Sequence, residues 1–362
     1  MKKTKNVLLM GVVAFGVLAA RCSKEEIISD GSSPSERKAS MQISIKGEGA
    51  STSARAIGNP SSDDEKTVHT FTVYVFNNST GVLEAHETFT DGLEGQISGL
   101  GVASQKKVVV LVNQPQGFPS IISYDDFEKA STMIDLSTQV PENFQTDGLF
   151  MSGETEDPIT LSTEGTVSVP VTVRRLTSKV KLGSLTVTPD GGLSIDDFKL
   201  AGVSIQKARD KYDALGVVRS SGFNYIGGVQ PAGSESLQVD YLNEFYSLPD
   251  GYSAGTKLNP EVYFYVFPND NTNNNATLLN LYGSYKGKEI YFPFYINQQQ
   301  GVGNSTTDGT WITRNKIYTL NVTLKKIGNS SENPNIPNEE VSMDVEVEVA
   351  NWEAELIQEV EW

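Results

Sequence analysis

The stretch from Val341 to Trp352 most constrains what this chain can become. Met343, Val345, Val347 and Val349 alternate there with Asp344, Glu346 and Glu348. Period-two alternation puts apolar side chains on one face of a β-strand and polar ones on the other. A Pro/Asn-rich loop (Asn333, Pro334, Asn335, Pro337, Asn338) precedes the strand. Such a strand either completes its own domain or completes another molecule's.

The rest of the chain supports a mostly β reading. Its 362 residues suffice for two domains with real cores. Thr, Val, Ser, Asn and Gly are abundant and long helical patterns nearly absent, as in β proteins. Met41, Ile43 and Ile45 alternate with Gln42, Ser44 and Lys46, an early amphipathic strand, and a small-residue loop follows from Gly47 to Glu65. That loop holds Ser53-Ala54-Arg55-Ala56 and has the composition of a nicking site. The first folded domain is expected to begin near Val68, with a strand at Phe71 to Phe76 and a turn at Asn77 to Gly81. The unbroken apolar run Val108 to Val112 predicts a strand covered on both faces. Ser123, with Asp126 three residues on and Phe127, Ala130 and Ile134 on one side, predicts one short helix. Strands at Thr166 to Val173 and Lys179 to Thr188 flank a domain junction near Arg174 to Leu176. Further strands are expected at Phe198 to Gln206, Phe223 to Ile226, Val262 to Phe267, Leu278 to Tyr285, Glu289 to Ile296 and Lys316 to Lys325. The expected architecture is two β-sandwiches in series, with a short helix in the first.

The first residues address the chain for export. Lys2, Lys3 and Lys5 precede an apolar run from Val7 to Ala20, a secretory signal too short to span a bilayer. Cys22, the one cysteine, has no partner for an internal disulfide. Its place resembles the lipid-acceptor Cys of bacterial lipoproteins, although Arg21 stands where such signals carry a small residue. Ordinary cleavage after Ala19 or Ala20, leaving a free thiol, is the alternative. Removing the four cations Lys2, Lys3, Lys5 and Arg21 with the signal takes the formal charge from −16 to −20. A chain so acidic repels nucleic acid and anionic membranes. The basic run Arg174, Arg175, Lys179 and Lys181 is interleaved with apolar residues and reads as a strand with one charged, solvated face.

Enzymatic readings find little support. Gly251-Tyr252-Ser253-Ala254-Gly255 matches G-x-S-x-G but sits in loop sequence, whereas a nucleophile elbow needs a strand before it and a helix after it. The only histidines, His69 and His86, precede it and are expected on first-domain strands. Two His and one Cys cannot make a four-ligand zinc site of those types. Asp270 to Asn275 is oxygen-rich but lacks the EF-hand register. Tyr263, Phe264, Tyr265, Tyr282, Tyr285, Tyr291 and Tyr295 fall in strand patterns and are expected in core and sheet packing. No catalytic residue, metal site or cofactor is expected.

The stretch Arg314-Asn315-Lys316-Ile317-Tyr318-Thr319-Leu320-Asn321-Val322-Thr323-Leu324 leads through the Asn/Pro loop to Val349-Ala350-Asn351-Trp352 and Trp362. With Val109-Val110-Leu111-Val112-Asn113, a loop at Gly148-Leu149-Phe150-Met151-Ser152 and the lipoprotein-like start, the chain resembles the FimA-type fimbrillins. These are major subunits of the type V pili of anaerobic Gram-negative bacteria. The resemblance implies two transthyretin-like domains laid out as signal peptide 1–21, lipidated tether and removable prosegment 22–55, N-terminal sandwich 56–175, C-terminal sandwich 176–328, and loop with donor strand 329–362. It implies lipidation at Cys22, delivery to the outer membrane, and cleavage by an Arg-specific protease between Arg55 and Ala56. Loss of the prosegment strand (Met41, Ile43, Ile45) would then open a groove for a neighbour's donor strand (Met343, Val345, Val347, Val349, Trp352). The implied partners are identical subunits in a head-to-tail filament, accessory tip and anchor pilins, and surface receptors for adhesion and biofilm formation. Three alternatives stand beside it: a monomeric glycan-binding surface lipoprotein, a minor tip or anchor subunit, and a tail that is simply the last strand of the second domain.

Overall fold

The computed structural model describes residues 38–47, 63–90, 92–143, 147–162, 165–229, 237–270, 275–297, 312–327, 334–335 and 343–352. The first half forms a seven-stranded sheet from β1 (Lys38–Gly47), β2 (Phe71–Asn77), β3 (Leu83–Phe89), β4 (Glu94–Gly101), β5 (Lys106–Val112), β6 (Met151–Glu154) and β7 (Thr166–Arg175). The order across it is β3-β2-β5-β6-β7-β1-β4. Neighbours are antiparallel except β1 and β7, which run parallel. The sheet curls until its halves share one interior. Phe71, Val73 and Val75 of β2 and Val108, Val110 and Val112 of β5 pack there with residues of β1, β4 and β7. The curl brings the edge strands together, and Gly95 of β4 leaves the space that the Phe89 ring of β3 fills.

The apolar run of β5 follows from burial on both faces. Its even-numbered valines line the first core, while Val109 and Leu111 belong to a second core. At the β2–β3 turn, Asn77 Oδ1 accepts from Ser79 N at 3.1 Å and Thr80 N at 3.2 Å, and Gly81 supplies a φ of 69°.

The second half pairs two sheets. One orders the short strand Asn243–Phe245, β9 (Phe198–Gln206), β11 (Leu278–Tyr285) and β12 (Lys288–Tyr295). The other is built on β8 (Ser178–Val187), which carries β10 (Val262–Val266) and Lys257–Leu258 on one side and β13 (Lys316–Leu324) on the other. β14 (Met343–Asn351) follows β13 at the edge. Side chains of β8, β9, β11, β12 and β13 share the second core, which continues without a break to Tyr74, Phe76, Phe127 and Phe150 of the first half. Ile134–Asp135 also pairs antiparallel with Lys211–Tyr212. The two halves are therefore packed together, not strung on a linker.

Two expectations are corrected. The segment after Ser123 is not an α-helix but two 3-10 turns, Tyr124–Glu128 and Ala130–Thr132. Asp126 bends back to accept from the N–H groups of Ile122 and Ser123 at 2.7 and 2.9 Å. Lys129 is extended (φ −76°, ψ 145°), and Thr132 Oγ1 donates to the Lys129 carbonyl at 2.7 Å. These local bonds compete with the helical ladder. Gly148 to Ser152 is not a loop throughout: Leu149, Phe150 and Met151 are fully buried and lead into β6.

Candidate functional site

The early strand occupies an inner position. β1 pairs with β4 from Lys38↔Gly101 to Ser44↔Glu94 and with β7 from Ser40↔Thr166 to Gly47↔Val173. Met41 and Ile43 are 0% exposed and Ala39 and Ile45 nearly so. The alternation in the sequence is thus the alternation of burial, and each large apolar side chain contributes about 1.5–3 kcal/mol. Without β1, the edges of β4 and β7 would flank an apolar slot lined by Ile97, Leu100, Val169, Val171 and Val173. Arg55 and Ala56 fall in residues 48–62, between Gly47 and the turn Asp63–Lys66, and lie outside the described residues, as does Cys22.

The tail strand occupies an outer position. β14 pairs antiparallel with β13 from Lys316↔Asn351 to Leu324↔Met343, and no described strand pairs with its other edge. Val347 thereby lies opposite Leu320, and Val349 opposite Tyr318.

The end of the tail is pinned. Trp352 is 1% exposed, and its backbone N–H donates to the Asn315 carbonyl at 3.0 Å. The indole stacks on Tyr265 with ring centroids 5.7 Å apart, and the Arg175 guanidinium lies 4.5 Å from its centroid. Leu149 completes the apolar wall. Arg175 Nη1 donates to the Trp352 carbonyl at 3.2 Å, while Nε and Nη2 donate to the Glu65 carbonyl at 3.2 and 2.9 Å. One guanidinium thus joins the tail to the turn Asp63–Lys66, which follows the span containing Arg55 in the sequence. The Glu65 carboxylate accepts from Tyr265 Oη and pairs with Lys179 Nζ at 2.7 Å.

Burial pushes the Arg175 guanidinium down to about 10, opposed by the Glu65 carboxylate, so it remains cationic at neutral pH. Burial and then the Glu65 charge push the Tyr265 phenol far above its ordinary range, which keeps it a neutral donor. This overturns the solvated reading of the basic run. Arg174 is exposed, but Arg175 has the inward parity of Val169, Val171 and Val173 and is 0% exposed. The planar fork of Arg suits it to bridging two carbonyls in a dry site.

Sequence reasoning missed Glu65, Arg175 and Tyr265 as a unit, along with two asparagines with left-handed backbone. Asn113 (φ 54°) accepts from His69 N and donates to the Thr67 and Leu149 carbonyls, at 2.9, 2.9 and 3.0 Å. Asn315 (φ 60°) donates its N–H to the Thr177 carbonyl at 3.0 Å while its own carbonyl holds Trp352. Arg314, which opens the motif before β13, braces the two halves by donating to Ser152 Oγ and O and to the Leu215 carbonyl.

Other candidates resolve into structure. Gly251 to Gly255 is a loop held by Tyr252, whose hydroxyl accepts from Val187 N and donates to the Thr256 carbonyl. Asp270 pairs with Arg209 at 2.6 Å. His86 stands on β3, whereas His69 lies in a bend ahead of β2. Phe264, Tyr265 and Tyr285 are buried and Tyr263 is 39% exposed.

The family model of the major fimbrial subunit protein (FimA) matches residues 39–187. No curated protein matches the chain significantly. A candidate cell adhesion protein of Bacteroides eggerthii is 20% identical with a TM-score of 0.64, covering 87% of this chain and 96% of that one. The fimbrilin (FimA) of Porphyromonas gingivalis is 19% identical with a TM-score of 0.62, covering 87% and 98%. A candidate cell adhesion protein of Parabacteroides distasonis is 17% identical with a TM-score of 0.60, covering 90% and 100%. At these identities the three structures show a shared fold.

Proposed function

With residues 39–187 matching the FimA major fimbrial subunit family, we propose that this chain is a structural pilus subunit assembled by exchange of strands between copies. The observation that carries this reading is β1, an inner strand joined to the rest through the span that contains Arg55. Cleavage between Arg55 and Ala56 would turn β1 from part of the chain into a bound, replaceable peptide. The tail is its natural replacement: Met343, Val345, Val347 and Val349 repeat the apolar period of Met41, Ile43 and Ile45, and strand addition uses that match. Four such side chains buried in the slot would contribute about 6–12 kcal/mol before ordering costs. Because donor and slot are different surfaces, the contact is heterologous and builds a filament. Possession of both a severable β1 and a tail favours a stalk subunit over a tip or anchor. Cys22 would tether the precursor to the outer membrane, which mass spectrometry of its N-terminus would test.

Treating the purified precursor with an Arg-specific protease should yield a new N-terminus at Ala56 and a ladder of detergent-resistant oligomers. Complete cleavage at Arg55 with the protein still monomeric would sink the proposal.

A further inference from the structure

The socket that holds Trp352 lies where the β1 slot ends. β1 runs parallel to β7, with Ile45 opposite Val171 and Gly47 opposite Val173. Arg175 is two residues further along β7, on the same buried face. A strand in β1's register that continued beyond position 47 would therefore run toward Arg175. The tail has the length to do so. With Val349 in the place of Ile45 or of Gly47, Trp352 comes level with Arg174 or Leu176 of β7. Either register brings it within one residue of Arg175, beyond the end of strand pairing, as Trp352 already sits beyond the end of β14.

The self-docked arrangement also leaves polar atoms unpaired. Trp352 Nε1 and Glu65 Oε2 are both buried, and neither has a hydrogen-bond partner among the described residues. An unpaired donor and an unpaired acceptor in one cluster mark a pose that another arrangement can improve on.

We infer that the Arg175, Tyr265 and Leu149 socket is an indole-binding site used between copies of this chain. It gives up its own Trp352 when the tail leaves β13, and it receives the Trp352 of the neighbour whose tail has entered the β1 slot. This inference rests on the strand-donation reading above. Trp352 then serves twice, first as the pin that keeps the tail on its own edge and then as the terminal anchor of the joint. A buried aromatic in a fitted, desolvated pocket is the usual form of an interface hot spot.

A competition assay on the full-length protein tests it. The precursor is cleaved at Arg55 in the presence of a synthetic peptide of residues 341–355, or of the same peptide carrying W352A, and the oligomer ladder is read. The wild-type peptide should cap chain growth at a concentration about tenfold lower than the W352A peptide. Equal capping by the two overturns the indole site and leaves strand donation standing. Capping by neither overturns strand donation, and the indole site with it. A second arm uses R175K subunits, first checked by circular dichroism for wild-type strand content. Lys keeps the charge but lacks the planar guanidinium that lies over the indole, so the advantage of the wild-type peptide should shrink to about threefold or less. An undiminished advantage would place the indole elsewhere and overturn the assignment.

Discussion

β1 and β14 carry the same alternation and occupy opposite kinds of place. β1 lies between two partners, parallel to one and antiparallel to the other, with its apolar side chains sealed in the first core. Among the described strands, β14 has a single partner and stands at the rim of its sheet. The pattern specifies a face but not a position, and position decides how a strand can leave. An edge strand departs by opening one ladder. An inner strand must open two and expose the core beneath it. Severing the chain at Arg55 would therefore not empty the slot by itself. It would lower the effective concentration of β1 and so let a competing strand displace it.

The largest expected effect comes from placing one charge on each strand. Ile43→Asp in the uncleaved chain should cost about 4–5 kcal/mol or prevent folding, since it buries an unpaired carboxylate. Val347→Asp should cost the uncleaved chain less than Ile43→Asp does and leave it folded, as urea unfolding would show, while abolishing chain growth after cleavage. Equal losses in the two precursors would break the contrast between inner and outer strand. Next, a synthetic peptide of residues 38–47 added during cleavage should slow the appearance of the oligomer ladder in proportion to its concentration. Growth indifferent to that peptide would show that β1 is not the displaced strand. Glu65→Gln removes the carboxylate that pairs Lys179 and should cost about 1–3 kcal/mol in the precursor. It should also raise the hydrogen exchange of β14 amides above that of β13. Unchanged exchange would mean that the Glu65 carboxylate does not help to hold the tail.

The smallest effect lies away from both strands. The Lys129 ammonium and the N–H groups of Ile122 and Ser123 hold the Asp126 carboxyl well below the usual carboxylate range. Its contribution to stability is thus full above that range and fades as the pH falls through it into strong acid. Asp126→Asn should cost about 1 kcal/mol at neutral pH and flatten that acid-side decline, as thermal melts at neutral and acidic pH would show.

Much of this was legible wherever one face of a strand is buried. Phe198–Gln206 and Leu278–Tyr285 fall at the bounds that their periodicity predicts, and Val108 to Val112 is covered on both faces as its composition requires. β3 and β4 escaped notice for the converse reason. Leu83–Phe89 is half-buried or exposed along its length, and Glu94–Gly101 carries only Gly95, Ile97 and Leu100 inward. Arg175 was misread because its neighbour Arg174 is solvated, although its parity with Val173 was visible. Its contact with Glu65 joins positions 110 residues apart, and no local pattern encodes that.

The core that runs unbroken from β2 and β5 to β13 has a mechanical consequence. Domains joined by a linker hinge and stretch under load. Here a pull applied between the first sheet and the second is borne by packed side chains, the Arg314 brace and the pairing of Ile134–Asp135 with Lys211–Tyr212. Packing of this kind would make the molecule a rigid link, and in a chain of such links compliance would belong to the joints.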